Sequence, residues 1–259
     1  MRYYVTADVH GYFDQLLEAL TAQGFFADPQ PHKLVVCGDL YDRGPQAAQL
    51  QKFILELLEK DRVILIRGNH EDLALQLLYQ WHRGSYLQPH HHSNGTVDTL
   101  LQLTGAQERE LYTNTEGLCR AFLDDPYIRT LIPAMVDYFE TKNYIFVHGW
   151  IPCIAVTTGK NADYRPIEAW RGAEKALWDK ARWINGMEAA QGGIREPGKT
   201  IVCGHWHCSF GHAHYEDDGG EFDNSPNFDP YYGPGIIALD ACTPASKKVN
   251  VILLEDEPL

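Results

Sequence analysis

The chain has 259 residues, enough for one large α/β domain, and 44% of them are hydrophobic, which suits a substantial core. Lys and Arg number 22 against 35 Asp and Glu, a net charge of −13 that repels phosphodiester backbones and argues against nucleic-acid binding. No apolar run reaches the roughly 18 residues of a membrane span, and the start MRYYVTADVHG has no apolar core followed by a cleavage site, so a cytosolic protein without a membrane partner is expected. Six cysteines make a poor disulfide framework in a chain of this size.

In chain order, short apolar runs of the kind that form buried strands are each followed at once by polar residues. Tyr3–Thr6 runs into Asp8-Val9-His10-Gly11, Leu34–Cys37 into Gly38-Asp39-Leu40-Tyr41-Asp42-Arg43-Gly44, and Val63–Ile66 into Gly68-Asn69-His70-Glu71. Helices are predicted between them, at Phe13–Gln23 and at Gln46–Lys60, where Ala47, Leu50, Ile54, Leu57 and Leu58 share one face. Residues 81–133 read as a helical insertion with pieces at Thr96–Leu103 and Glu116–Leu123, and with His90-His91-His92 in a solvated loop. Further strands are predicted at Tyr144–Val147, ending at His148-Gly149, and at Thr200–Cys203, ending at Gly204-His205, with a helix over Pro166–Trp183 between them. A loop over Tyr215–Pro234, with an acidic run from Glu216 to Glu221, precedes two last strands near Ile236–Asp240 and Lys248–Leu254. Alternating strands and helices imply a single α/β domain with a largely parallel or mixed sheet, whose ligands bind beyond the carboxyl ends of the strands. Five such ends carry Asp, Asn or His beside a glycine, and five converging on one rim point to a site.

The chemistry of those residues is that of a metal centre. Asp8 and His10, two apart, point the same way in an extended segment. Asp39 has two oxygens with which to bridge two ions, Asn69 offers a neutral carbonyl, and His148 and His205 offer imidazoles. Such an oxygen and nitrogen set without thiolate suits Mn²⁺, with Fe or Zn²⁺ also compatible. Two divalent ions would hold a hydroxide nucleophile between them and clamp a phosphoryl group for in-line displacement. Arg43 and Arg182 would neutralise phosphate oxygens, and His70 would protonate the leaving group. Asp42 would bond the other nitrogen of His70. Cys203, Cys208, His212 and His214 have spacing that fits no usual zinc module, and are expected to line the cleft.

These motifs, in this order, resemble the signature of the calcineurin-like metallophosphoesterases and, more closely, the bacterial phosphoprotein phosphatase branch. The resemblance implies a sandwich of two mixed β-sheets flanked by helices. It implies one metal on Asp8, His10 and Asp39, a second on Asp39, Asn69, His148 and His205, a phosphate contact at Arg43, and the acid pair Asp42–His70. Leu177–Trp183 is similar to the segment that gives small bacterial members a second phosphate-binding arginine, here Arg182. Where the branch commonly has Gly-His-Thr-Pro, this chain has Gly204-His205-Trp206-His207, similar to the wider superfamily's GHxH, so His207 is an expected extra ligand. The activity implied is that of a phosphomonoesterase acting on phosphorylated Ser/Thr and possibly Tyr in proteins, or on a small phosphoester. Its alternative is hydrolysis of diadenosine polyphosphates, and a catalytically silent metal-bound scaffold is the remote third.

Overall fold

A computed structural model describes residues 1–84, 87–156 and 163–259. Its strands are β1 (Arg2–Thr6), β2 (His32–Cys37), β3 (Val63–Ile66), β4 (Phe139–Glu140), β5 (Tyr144–Phe146), β6 (Cys153–Ala155), β7 (Tyr164–Pro166), β8 (Thr200–Cys203), β9 (Tyr231–Gly233), β10 (Ile236–Ala238) and β11 (Val251–Glu255). One sheet has the order β11-β1-β2-β3 and the other β4-β5-β8-β10-β9, with β6 and β7 a separate antiparallel pair. Within the first sheet β1, β2 and β3 are parallel, in the register Tyr4↔Leu34↔Val63, and β11 closes the edge antiparallel to β1. In the second, β5, β8 and β10 are parallel while β4 and β9 run antiparallel at the edges. Both sheets are therefore mixed.

The side-chain alternation of each strand assigns it two buried faces. Tyr3, Val5, Val35 and Cys37 point from the first sheet into a core shared with Phe146, Val202 and Ile237 of the second. Tyr4, Leu34 and Val36 point the other way, onto Leu16 and Leu20 of α1 (Phe13–Ala22) and onto Leu50 and Ile54 of α2 (Ala47–Glu59). On the far side of the second sheet, Ile145, Ile201 and Cys203 pack against Trp150, Trp178 and Met187. The result is helix, sheet, sheet, helix, and it explains why the strands read as continuous apolar runs. All six cysteines are free thiols.

Among the described residues the chain between β3 and β4 is helical. It contains α3 (Asn69–His82), α4 (Pro89–Ser93), α5 (Thr96–Thr104), α6 (Glu110–Thr113), α7 (Thr115–Leu123), a π-helical turn at Tyr127–Leu131 and α8 (Ile132–Ala134). The His90–His92 triplet is not a solvated loop. It lies on α4, and His91 is fully buried with its Nε2 3.2 Å from Gln80 Oε1. The predicted helix over Pro166–Trp183 is broken into the end of β7, a 3-10 turn at Trp170–Gly172 and α9 (Lys175–Ala181). Downstream lie α10 (Gly186–Gln191) and α11 (Cys208–Tyr215), the latter within the histidine-rich stretch. No described helix is long and apolar enough to cross a membrane.

Candidate active site

Each parallel strand delivers a polar residue two or three positions past its end, and the two sheets bring these ends to one rim. Asp8 follows β1, Asp39 follows β2, Asn69 follows β3, His148 follows β5 and His205 follows β8. A sixth end adds Asp240 after β10, a residue that no motif singles out. The turns are tight. Asp8, His10, Asp39 and His205 hold left-handed backbone conformations with φ of 51°, 51°, 53° and 68°, and Asp42 and Arg43 do so at 75° and 70°. Each such residue costs on the order of 1–2 kcal/mol, so six of them clustered at one rim mark strain held in place by the surrounding packing.

Hydrogen bonds between the sheets and between neighbouring strand ends fix these loops. Asp8 Oδ2 accepts from the His205 amide at 2.9 Å, and Asp39 Oδ1 accepts from the His70 amide at 3.0 Å. The glycines of the motifs permit this approach, because a Cβ on Gly204 would lie 1.9 Å from Asp8 Oδ2 and one on Gly68 2.1 Å from Asp39 Oδ1. Glu71, also unassigned from sequence, is fully buried and receives three backbone amides. Its Oε2 accepts from Gly68 at 2.7 Å and Asp39 at 3.1 Å, and its Oε1 accepts from Leu40 at 3.0 Å. It ties the Gly38–Asp39 loop to the start of α3, and the only hint in the sequence was its place three residues after Gly68, that of a capping-box glutamate.

Asp39 lies at the centre. Its Oδ2 is 3.9 Å from His10 Nε2 and 3.8 Å from His70 Nε2, and its Oδ1 is 3.4 Å from His148 Nε2. Ligand atoms of His10, Asp39 and His70 lie within 4.8 Å of one another, as do those of Asp39, His148 and His205. Asn69 Oδ1 sits 2.7 Å from His148 Nε2 and 3.0 Å from His205 Nδ1. The imidazoles are oriented through their other nitrogens. His10 Nδ1 donates to the Tyr41 carbonyl at 2.9 Å and His148 Nδ1 to the Cys37 carbonyl at 2.8 Å, while His205 bonds the Trp183 backbone. That arrangement leaves one lone pair of each ring directed inward, as outer-shell partners of a metal ligand do.

Charge is balanced for cation binding. Burial, then the neighbouring His70, pushes His10 down to about 3, and burial, then His148, takes His205 to about 3 as well, so both are neutral at physiological pH. Burial alone would raise Asp39, but the imidazoles of His148, His70 and His10 outweigh it and hold the carboxyl below its usual range. Burial, then the charges of Asp240 and Asp39, drives Asp8 well above that range. Burial also takes Asp240 up to about 6 and, reinforced by Asp39, takes Glu71 up to about 7.

Asp8, His10, Asp39, Arg43, Asn69, His70, Asn94, Trp183 and His205 line a pocket of about 130 Å³ at this rim. A larger depression of about 860 Å³ lies at the amino ends of the strands, around Arg2, Pro31, Asn143 and Glu255, and has no histidine in its lining. Asp42 stands behind His70, with its Oδ2 2.7 Å from His70 Nδ1. Arg43 reaches both His10 Nε2 at 3.4 Å and His70 Nε2 at 3.2 Å. Burial opposes the charged form of His70, yet the carboxylates of Asp39 and Asp42 outweigh it and raise its pKa.

Two of the expected site residues are placed elsewhere. Arg182 is buried and does not line the pocket, because its guanidinium is committed to Asp72, Asp137 and Asp179. Both terminal nitrogens are taken by these acids, and the arginine ties α9 to α3. Arg182→Met is expected to destabilise the protein by about 2 kcal/mol, since Asp137 loses its counter-charge while Asp72 and Asp179 keep only Arg67 and Lys175, with KM little changed; thermal unfolding and initial rates check this. His207 packs against the acidic loop, with Nε2 3.0 Å from Glu221 Oε1 and its ring 4.4 Å from Phe222. It does not line the pocket. Among the described residues no third group of metal-holding geometry appears, and Cys208 and His212 bond the carbonyls of Ala238 and Asp229.

The family profile described as calcineurin-like phosphoesterase matches residues 1–218. The chain belongs to that family. Members share the two-metal chemistry for which this rim has the donors, and the sandwich of mixed sheets flanked by helices is the fold its structural neighbours show. Among curated proteins, this calcineurin-like chain is 29% identical over 117 residues to the asymmetrical bis(5'-nucleosyl)-tetraphosphatase PrpE of Bacillus velezensis, covering 43% of the chain and 45% of that relative. It is 42% identical over 72 residues to serine/threonine-protein phosphatase 1 of Salmonella typhimurium, covering 28% of the chain and 31% of that relative. The chain thus spans about half or less of the length of these relatives. Among solved structures, a provisionally assigned diadenosine tetraphosphatase aligns with a TM-score of 0.52 at 16% identity over 98% of the chain and 89% of its own. A cold-active protein-tyrosine phosphatase from Shewanella aligns at 0.50 with 18% identity, over 98% of the chain and 75% of its own.

Proposed function

We propose that this calcineurin-like chain is a metal-dependent phosphoester hydrolase whose preferred substrate is a dinucleoside polyphosphate. The observation that carries the hydrolase reading is the Asp42–His70 pair set against Asp39 at the centre of two overlapping donor groups. The donors fit divalent ions of the Mn²⁺ type: neutral imidazoles with their outer nitrogens held, an amide oxygen and buried carboxylates, with no thiolate. Asp8, His10 and Asp39 would hold one ion, and Asp39, Asn69, His148 and His205 the other. When bound, such a pair supplies Lewis-acid polarisation of a phosphoryl oxygen and activation of water for in-line displacement. Arg43, forked between His10 and His70, binds the phosphoryl oxygens. His70 Nε2 gives its proton to the departing oxygen, and Asp42 holds Nδ1 so that Nε2 keeps facing the pocket.

The substrate class rests on two supports. Relatives named as bis(5'-nucleosyl)-tetraphosphatases recur among the similar proteins. In addition, Trp183 forms a wall of the pocket with half its surface exposed and its ring edge-on to His205, 5.7 Å away. An exposed indole beside a phosphate site is a stacking platform for a nucleobase. The Ser/Thr phosphatase match, the highest in identity of these, favours a phosphoprotein as the second reading. With Mn²⁺ supplied, kcat/KM for diadenosine tetraphosphate is expected to exceed that for a phosphoserine peptide. Trp183→Ala should raise KM for the dinucleotide about tenfold relative to the peptide, from roughly 1–3 kcal/mol of stacking. The opposite preference would install the protein phosphatase reading.

Metal dependence should carry a pH signature. Asp8, Asp240 and Glu71 have folded pKa values above their unfolded ones, so without metal the stability contributions of Asp240 and Glu71 are lost as pH rises from about 4 through 6 and 7, and that of Asp8 is lost in the same direction. His10 and His205, depressed to about 3, contribute stability above their unfolded pKa that is lost only as pH falls from about 6.5 toward 3. Between pH 5 and 8 the acids dominate, and a divalent ion relieves their repulsion. The rise in melting temperature on adding Mn²⁺ is expected to be larger at pH 8 than at pH 5, as differential scanning fluorimetry would show.

A further inference from the structure

Asp42 is gripped from the helical segment between β3 and β4. Thr99 Oγ1 donates to Asp42 Oδ1 at 2.8 Å and accepts from the Asp42 amide at 3.0 Å, while Thr96 Oγ1 donates to Asp42 Oδ2 at 2.9 Å. Both threonines, the aspartate and His70 are buried. A spacing of three places the two hydroxyls on one face of α5. Threonine at a helix start commonly caps its own backbone; here both hydroxyls serve a carboxylate more than fifty residues earlier. The approach is as close as backbones allow, because a Cβ on Gly95 would lie 2.3 Å from the Arg43 amide nitrogen.

We propose that Thr96 and Thr99 are positioning residues for the proton donor, so that α5 sets the aim of His70. The carboxylate plane of Asp42 is fixed at both oxygens, and the hydrogen bond that the Asp42 amide donates to Thr99 Oγ1 holds the left-handed backbone of Asp42 at φ 75°. With that plane fixed, Oδ2 meets His70 Nδ1 in line, and Nε2 faces the pocket. In the step served, the bond from phosphorus to the departing oxygen breaks, water supplies the new oxygen, and the Nε2 proton goes to the departing oxygen. Loss of both hydroxyls lets the carboxylate rotate and the ring drift, which harms only reactions that need that proton. The proposal rests on the general-acid reading of His70, and its test separates the two.

The experiment compares the full chain with Mn²⁺ on phenyl phosphate, whose departing phenoxide needs a proton, and on 2,4-dinitrophenyl phosphate, whose leaving group does not. The double variant Thr96→Val/Thr99→Val is expected to lower kcat for phenyl phosphate about 10- to 100-fold, the size typical of outer-shell partners. For the dinitrophenyl ester kcat should stay within about twofold, and Thr96→Ser/Thr99→Ser should restore the phenyl phosphate rate. Should the double variant fail to fold, Thr96→Val alone, which removes one donor, is read on the same two esters. Equal losses on both esters, or loss of folding without ester selectivity in the single variant, would overturn the proposal. His70→Asn is the control: if it discriminates between the esters and the threonine variants do not, positioning is refuted and the acid role stands. If His70→Asn does not discriminate either, the acid role itself fails and the proposal with it.

Discussion

Asp39→Asn is expected to lower phosphoester hydrolysis by at least about 10³-fold, equivalent to roughly 4 kcal/mol of transition-state stabilisation. The size follows from position. Asp39 is the one carboxylate shared by both donor groups, within 4 Å of His10, His70 and His148. The surrounding imidazoles hold it ionised. The amide that replaces it has one oxygen and no charge, so it cannot join two cations. It would also present an NH₂ either to the His70 amide, which now donates to Oδ1, or to the imidazole lone pairs. The variant should fold, because the Glu71 clamp on the same loop is untouched, and its stabilisation by Mn²⁺ should collapse along with activity. Loss of activity with Mn²⁺ stabilisation intact would mean that Asp39 is not a metal ligand.

His70→Asn should reduce kcat by about 10²–10⁴-fold for alkyl phosphates and for phenyl phosphate, whose leaving groups need a proton, the range of general acid catalysis, with KM changed little. The loss should be much smaller for a dinucleoside tetraphosphate, whose departing nucleoside triphosphate oxygen needs less protonation. The raised pKa of His70, set by Asp39 and Asp42 against burial, keeps more of the ring protonated near neutrality than an unperturbed histidine would be. Steady-state rates on both substrate types check this. A uniform loss across both would point to phosphate binding through the Arg43 contact in place of proton donation.

Much of the rim was legible because its chemistry is written in short contiguous words. A glycine beside Asp, Asn or His at the end of an apolar run is a local pattern, and five of the six strand ends carry it. The sixth, Asp240, sits between Leu239 and Ala241 with no glycine beside it, so only the sheet order reveals it. Glu71 lay inside a motif, yet its task of collecting three amides is a property of two loops meeting. Arg182 shows the converse: an arginine between Trp178 and Trp183 looks available until Asp72 and Asp137, from distant parts of the chain, are seen to claim it. His91 was misplaced in a loop because a run of three histidines suggests solvation, whereas a single helical turn turns one of them inward. The histidine-rich stretch 203–214 divides in the same way. His205 belongs to the rim, and the rest packs on α11 and the acidic loop through contacts that spacing does not encode.

The central claim is that the strand ends of both sheets assemble a two-ion centre on which Asp39 is the shared ligand. Crystals of the full chain grown with Mn²⁺ and measured at the manganese absorption edge test it most directly. Two anomalous peaks on either side of Asp39 are expected, one near Asp8 and His10 and the other near Asn69, His148 and His205. A single peak away from Asp39, or none at this rim while the ion is present in excess, would contradict it.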